Sequence, residues 1–268
     1  MTQSQEKIGS TKSTSSPSLF KQIVFYAKTL FLFEIVAFGY ILIATPFIGA
    51  LPAVLRLTHW LVYRFFDIKV IKIGPCQEKV EDFNGIIMPS HKGYGDFFLT
   101  PVFGDGAMFG RMATAFFVPA ASVFSKFTNM FFIIKRGSRN FEELESRLKD
   151  FLDRRNPRVI VFPEGHRNRE GRGVLQLRTG IFRMAFNQRI KVMLCPCEGS
   201  QYILNEFNCN WKLRKELVVN YAAILDPNEF KTWEEFHAEA NKIFIEGYED
   251  ACREYDRSIE QKKDAIPF

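Results

Sequence analysis

The chain has 268 residues, of which 47% are hydrophobic, and carries a formal net charge of +6. This length is sufficient for one large domain with appendages. Its five cysteines form no evident disulfide framework, which argues against a disulfide-rich secreted protein and predicts reduced thiols. Cys195 and Cys197 are interpreted as buried structural thiols rather than as a metal or redox pair.

The N-terminal part of the chain divides into a polar tail and an apolar segment. Residues 1–17 are rich in Ser and Thr and predict a disordered tail. Residues 18–56 predict a helical, membrane-associating segment. Within it, 35–55 are 21 positions without a charge, about 31 Å of helix, close to the hydrocarbon thickness of a bilayer. Pro46 and Pro52 leave open one kinked span or two shorter interfacial helices, and a buried helix of a soluble core is the competing interpretation.

Residues 57–268 predict an α/β domain, with a mixed sheet flanked by helices. Short β-branched runs alternate with helical stretches. The candidate strands are 68–73, 85–88, 114–118, 131–134, 158–162, 190–194 and 216–221, and the candidate helices are 140–155, 174–188 and a long amphipathic C-terminal helix, 229–255.

The stretch SHKGYGDFF (90–98) follows one of these strands and holds a histidine and a carboxylate. On a continuous helix His91 and Asp96 would point about 140° apart. A turn through Gly93 and Gly95 would let Asp96 fold back and hydrogen-bond one imidazole nitrogen, which leaves the other nitrogen as a general base. Asp96 as a plain helix N-cap is the alternative.

A second stretch, VIVFPEGHRNREGRG (159–173), places Glu164 and several arginines just after another apolar strand. Between residues 154 and 191 there are nine arginines, one lysine and only two acids. Such a field attracts phosphates of a nucleic acid, a lipid head group or a nucleotide-bearing cofactor. Ligands bind at the carboxyl ends of strands in α/β sheets. A surface salt-bridge loop is the competing interpretation.

Together these blocks resemble the glycerolipid acyltransferases, the family that includes the 1-acylglycerol-3-phosphate O-acyltransferases. The H-x4-D block corresponds to His91 and Asp96, FPEGHRNR is similar to the family's F-P-E-G-T-R-S block, and FFIIKR (131–136) is similar to the block that ends in a substrate-binding arginine, here Arg136. VMLCPCE resembles the fourth block, with Pro196, and all blocks occur in the family's order. Ser90, Gly93 and His166 depart from the family's Asn, Ser and Thr; because these positions are expected to line the pocket, the acceptor stays open.

The resemblance implies transfer of a fatty acyl group from acyl-CoA to the free hydroxyl of 1-acylglycerol-3-phosphate, which gives phosphatidic acid for phospholipid biosynthesis. His91 would be the base and Asp96 its partner. The resemblance assigns acceptor binding to Arg136, Glu164, Gly165, Arg167 and Pro196, and coenzyme A phosphates to Arg169, Arg172 and Arg178. Backbone N–H groups near Gly93–Gly95 or Gly165 would stabilise the oxyanion. Acyl-CoA is then a co-substrate, and neither a cofactor nor a metal is required.

The partners implied are acyl-CoA, a lysophospholipid and a membrane, with the endoplasmic reticulum as the location if the source is eukaryotic. Glycerol-3-phosphate or another lysophospholipid, in remodelling, is the alternative acceptor. A non-catalytic membrane lipid-binding protein is a further alternative. Nucleic-acid binding is disfavoured because many of the 29 phenylalanines lie in apolar runs rather than between basic residues. His59 and His237 are assigned to structure.

Overall fold

A computed structural model describes residues 17–44, 60, 63–103, 107–111, 131–134, 141–153, 158–168, 172–206, 208–212 and 215–264. Its strands are β1 Lys69–Ile73, β2 Gly85–Pro89, β3 Ala107–Arg111, β4 Phe131–Ile134, β5 Arg158–Ile160, β6 Val192–Cys195, β7 Cys197–Glu198, β8 Leu204–Asn205, β9 Asn210–Trp211, β10 Glu216–Asn220 and β11 Ala223–Leu225. Its α-helices are α1 Leu19–Ala44, α2 Phe141–Leu152, α3 Thr179–Asn187, α4 Ser200–Ile203 and α5 Trp233–Asp264.

In the described part of the chain, the central sheet has six strands in the order β11-β6-β2-β5-β3-β4. The pairs β6–β2, β2–β5, β5–β3 and β3–β4 are parallel, whereas β11 runs antiparallel to β6. A second sheet, β1-β10-β7, has one parallel and one antiparallel pair. The predicted mixed α/β architecture is therefore confirmed, and β2, buried at all five positions, lies between two parallel neighbours.

Two hydrophobic clusters cover the faces of the central sheet. Ile86 and Met88 pack with α3 and α5, where Phe182, Phe236 and Phe244 are fully buried. Ile87 points to the other face, where a cluster that includes strands β7 and β10 covers it. This alternation is what the period of two residues in a strand requires. Both faces being covered explains the apolar run in the β2 sequence.

Several predicted strands are confirmed, and two predicted helices begin at later residues than predicted. Six predicted strands correspond to β1, β2, β4, β5, β6 and β10, whereas the candidate strand 114–118 lies outside the described residues. The helix predicted at 174–188 begins only at Thr179, because the Leu175 N–H donates to the Glu164 carboxylate at 2.8 Å and the chain up to Arg178 stays extended. The C-terminal helix begins at Trp233 because Asp226 caps a 3₁₀ turn, Pro227–Glu229, and it continues to Asp264.

Helix α1 lies against the α/β domain through part of its surface. Phe25 is buried with Phe66, Ile203, Leu204 and Cys209, and the Trp211 indole N–H donates to the Thr29 hydroxyl at 3.2 Å. No helix in the described part of the chain is both long and apolar enough to cross a bilayer. Residues 45–59, with both prolines of the predicted segment, lie outside the described residues, so membrane association and the domain limits 1–17, 18–56 and 57–268 stay predictions.

The cysteines agree with the interpretation as structural thiols. All five are free; four of them are buried and Cys252 is half-buried. Burial raises the pKa of Cys195 and of Cys197 well above that of an ordinary thiol, so both stay protonated.

Candidate active site

The turn after β2 brings His91 and Asp96 into direct contact. The Asp96 Oδ2 atom lies 2.8 Å from the His91 Nδ1 atom, and it also accepts hydrogen bonds from the Lys92 N–H at 2.6 Å and the Gly93 N–H at 2.9 Å. The predicted turn therefore forms. Because a buried carboxylate holds Nδ1, this nitrogen carries a proton and Nε2 is the ring nitrogen able to accept another.

Exposure separates the two members of this pair. The Asp96 side chain is 1% exposed, whereas the His91 side chain is 23% exposed. The imidazole stacks on the Phe162 ring, with centroids 4.1 Å apart and planes inclined by 16°. The Asp96 carboxylate and the aromatic ring together fix the plane of an imidazole that solvent still reaches, which is the arrangement a general base needs.

The second oxygen of Asp96 accepts from the Ser200 hydroxyl of α4. This contact depends on Gly95, because a Cβ atom there would lie 2.4 Å from the Ser200 carbonyl oxygen. Ser90 joins the same region to β7, since its hydroxyl donates to the Cys197 carbonyl and accepts from the Cys197 N–H, both at 2.8 Å. Ser90 is thus a structural bridge at the position where the family usually has Asn.

Glu164 follows β5, the parallel neighbour of β2, and is fully buried beside the histidine. One carboxylate oxygen accepts from the His91 N–H at 2.7 Å and the other from the Leu175 N–H at 2.8 Å. Burial raises its pKa, although these two hydrogen bonds and the positive charge of Lys92 oppose the shift. Glu164 therefore positions the backbone of His91 and of the chain at Leu175, after the arginine-bearing loop. Its predicted contact with substrate stays a prediction.

Lys92 is a buried cation directly beneath this site, at 2% exposure. Its ammonium donates to the Gly173 carbonyl and lies 3.9 Å from the centroid of the Tyr248 ring of α5. The Tyr248 hydroxyl donates to the buried Glu198 carboxylate at 2.6 Å. Burial lowers the pKa of Lys92, while the nearby Glu164 and Glu198 carboxylates oppose this shift. A buried polar network therefore joins the turn from His91 to Asp96, called the catalytic turn for its predicted role, to the C-terminal helix α5.

The predicted arginines occupy different environments. Arg167 is 17% exposed, its Nη1 donates to Glu206 Oε1 at 2.9 Å, and its guanidinium carbon lies 3.9 Å from the Tyr94 ring centroid. The chain following Arg167 also contacts the catalytic turn, because the Asn168 N–H donates to the His91 carbonyl at 2.7 Å. Arg167 is thus brought to the predicted site.

Two arginines assigned to coenzyme A can be located. Arg178 is exposed, and its Nη2 lies 3.4 Å from His166 Nδ1, beside Gly165, whose φ of +70° favours glycine. Arg172 instead pairs with Asp256, 2.8 Å from Nη1 to Oδ2, and its Nε lies 3.5 Å from Glu198.

Arg136 and Arg169 lie outside the described residues, so their predicted roles are unchanged. Pro196 is buried between β6 and β7, and its carbonyl accepts from the Asn220 N–H at 3.0 Å. Its predicted substrate contact likewise stays a prediction.

The suggested oxyanion donors need correction at two positions. The Gly93 N–H donates to Asp96, and the Gly165 N–H donates to the Phe162 carbonyl at 3.1 Å. These two hydrogen bonds close the turns, so neither N–H group is available in this structure to donate to an oxyanion.

The residues that build the site and that sequence reasoning missed include Lys92, Glu198, Ser200 and Tyr248. A usable signal existed only for Glu198 and Ser200, which directly follow the apolar run of β6, at the sheet edge where β2 and β5 also end.

Comparisons with known proteins agree with this geometry. Residues 75–198 match the model of the Acyltransferase family. The crystal structure of the 1-acyl-sn-glycerophosphate (LPA) acyltransferase PlsC from Thermotoga maritima is similar in fold, with a TM-score of 0.66 and 18% identity over 87% of this chain and 95% of that chain. A search of curated proteins gives no match. The resemblance carried by the motifs is confirmed at the level of the domain: residues 75–198 match the Acyltransferase family, and the fold is similar to that of PlsC.

Proposed function

We propose that this chain transfers a fatty acyl group from acyl-CoA to the free hydroxyl of a lysophospholipid, with 1-acylglycerol-3-phosphate as the first expected acceptor and phosphatidic acid as the product. The observation that carries the proposal is the partly exposed His91 imidazole, held through Nδ1 by a buried carboxylate that accepts from three further donors. The PlsC protein of similar fold is named for this acceptor, which supports the choice.

The reaction proceeds in one acyl transfer with His91 as base. Nε2 takes the proton of the acceptor hydroxyl while its oxygen attacks the thioester carbonyl carbon. The tetrahedral intermediate collapses, the carbon–sulfur bond breaks, and the coenzyme A thiolate takes the proton from the imidazolium. The Asp96 carboxylate stabilises the imidazolium between these steps.

Side chains that could form an acyl-enzyme near the Asp96 carboxylate are engaged elsewhere. The Ser200 hydroxyl donates to Asp96, and the Ser90 hydroxyl bonds both backbone groups of Cys197. The Cys197 thiol is fully buried with a raised pKa. These positions favour direct transfer between two bound substrates over a covalent intermediate.

Anion recognition is assigned to the loop after β5. The Arg167 side chain packs against Tyr94 of the catalytic turn. Arg167 is the proposed partner of the acceptor phosphate, together with Arg136. Arg178 is exposed beside Gly165 and, with Arg169, is the proposed contact of coenzyme A phosphates. Guanidinium groups suit this role because they bind phosphate oxygens in pairs.

Helix α1 supports the proposed action at a membrane. Leu19, Phe20, Ile23 and Phe31 are between 57% and 76% exposed. Tyr26 of the same helix packs edge-to-face on Tyr94 of the catalytic turn, with centroids 6.1 Å apart. An apolar surface adjacent to the site would let acyl chains enter from a lipid layer. The endoplasmic reticulum of a eukaryotic source remains part of this proposal.

The test is acyl transfer by the purified protein with labelled oleoyl-CoA and separate acceptors: 1-acylglycerol-3-phosphate, glycerol-3-phosphate and zwitterionic lysophospholipids. His91→Ala should lose transfer and still bind lipid vesicles. His237→Ala, on α5 against Phe182, is the matched histidine control, with thermal unfolding as a check on folding. Transfer by the His91 variant at near wild-type rates would remove the proposed base. Lipid binding without transfer to any acceptor would instead favour the non-catalytic alternative.

A further inference from the structure

The carboxylate of Glu206 is built into the acceptor side of the catalytic turn. It follows β8, and its side chain is 11% exposed. Its Oε1 atom accepts from Arg167 at 2.9 Å and would lie 3.6 Å from a Cβ atom placed on Gly93. The glycine between the base and its carboxylate partner therefore faces an acidic side chain directly.

The arginine of this pair is itself fixed to the same turn. Its guanidinium carbon lies 3.9 Å from the centroid of the Tyr94 ring, and the Tyr94 residue separates Gly93 from Gly95. Arg167 and Glu206 consequently form one dipolar site, with a cation and an anion side by side above the turn. Any head group that reaches Arg167 also comes within a few ångströms of a negative charge.

Two classes of acceptor respond to this site differently. A phosphate monoester carries about −1.5 to −2 charges near neutral pH and is repelled by the carboxylate as it approaches the guanidinium. A zwitterionic lysophospholipid carries one negative charge on its phosphodiester and a cation in the same head group. Its phosphate can meet Arg167 while the cation meets Glu206.

We propose that Glu206 is a specificity-determining residue that lowers the preference for a bare phosphate monoester relative to a zwitterionic lysophospholipid. This inference rests on the proposed role of Arg167 in binding the acceptor. It is a statement about the ratio between the two acceptors, so it holds for whichever of them the wild-type protein uses faster.

The test compares 1-acylglycerol-3-phosphate with 1-acyl-glycerophosphoethanolamine, of the same chain length, in the wild type and in Glu206→Gln. Glutamine keeps an oxygen that can accept from Arg167, so packing is retained while the charge is lost. The ratio of kcat/KM for the monoester over that for the zwitterion should rise at least about tenfold, with the change in KM rather than in kcat. Glu254→Gln removes one carboxylate from the exposed pair with Arg257 and should leave the ratio unchanged.

A ratio that stays within twofold, or that moves toward the zwitterion, would overturn the inference. Equilibrium binding of the same two lipids to both proteins keeps it testable without turnover. If no acceptor is acylated but the binding ratio shifts as stated, the proposed reaction fails and head-group selection by Glu206 stands. If acylation occurs and Glu206→Gln changes neither the kcat/KM ratio nor the binding ratio of the two acceptors, the proposed reaction is supported and the role of Glu206 is refuted.

Discussion

Asp96→Asn tests whether the carboxylate acts on the imidazole or only closes the turn. Asparagine can place its amide oxygen at the Oδ2 position, where it accepts from the Lys92 and Gly93 N–H groups and from His91 Nδ1. Its amide nitrogen can then donate to the Ser200 hydroxyl. The turn is retained in this variant, and the negative charge that stabilises an imidazolium is removed.

The expected loss follows from the burial of this charge. A hydrogen bond to a charged group contributes about 1.5–3 kcal/mol, compared with about 0.5–1.5 kcal/mol for a neutral one. The corresponding ends of these two ranges differ by roughly 1–1.5 kcal/mol, which at about 1.4 kcal/mol per tenfold change in rate predicts a kcat about 5- to 12-fold lower. With Asp96 only 1% exposed, solvent provides little compensation, so the upper part of this range is expected.

The assay follows release of the coenzyme A thiol with a thiol reagent, at saturating acyl-CoA and lysophospholipid. Asp250→Asn, which removes a carboxylate paired with Arg253 on the exposed side of α5, is the matched control and should keep the wild-type rate. If Asp96→Asn retains a kcat within twofold of the wild type while His91→Ala is inactive, Asp96 is a turn-closing residue and the base acts without it.

Two further predictions concern the packing beneath the turn. Gly95→Ala should lower activity by more than tenfold and should also lower the melting temperature, because the added Cβ atom would lie 2.4 Å from the Ser200 carbonyl oxygen. The control is Gly180→Ala on α3, where no heavy atom lies within 4 Å of the added Cβ atom. This control should leave activity unchanged and should leave stability unchanged or slightly higher. Lys92→Met should lower the free energy of unfolding by about 2–4 kcal/mol, because it removes the cation beside the buried Glu164 carboxylate and leaves the buried Glu198 carboxylate with Arg172 alone. Burial lowers the pKa of Lys92 in the folded state below its usual value of 10.5. At a pH between the folded-state and the unfolded-state pKa, the unfolded chain therefore binds more protons than the folded one. In that pH interval the wild type gains stability relative to the variant as pH rises. Urea unfolding at about pH 7 and about pH 9.5 measures the difference in the free energy of unfolding between the wild type and Lys92→Met. A difference that becomes smaller as pH rises would contradict the lowered pKa of Lys92.

The sequence was sufficient for features that depend on local patterns. The apolar runs identified the strands β2, β5 and β6, and the glycines between His91 and Asp96 identified the turn. Motif order then predicted the acyltransferase domain that residues 75–198 match. These features are readable because strand periodicity and glycine turns are encoded within a few neighbouring residues.

Features that depend on distant pairs were not predictable from the sequence. Ser200 meets Asp96 across 104 positions, and Lys92 is buried because Tyr248 of α5 covers it. Arg172 follows the pattern of a phosphate-binding arginine, yet α5 brings Asp256 to its guanidinium. No pattern of neighbouring residues in the sequence shows that a helix distant along the chain contacts a given lysine or arginine.

The span of the network beneath the catalytic turn has a consequence for protein engineering. The matched family segment ends at residue 198, but Ser200, Glu206 and Tyr248 all lie beyond it. A chimera that transplanted only 75–198 into a related scaffold would lack the Ser200 hydroxyl, the Glu206 carboxylate and the Tyr248 phenol, which contact Asp96, Arg167 and Lys92, respectively. Transfer of the complete site to a related protein therefore requires residues 199–248 to be moved together with the motifs.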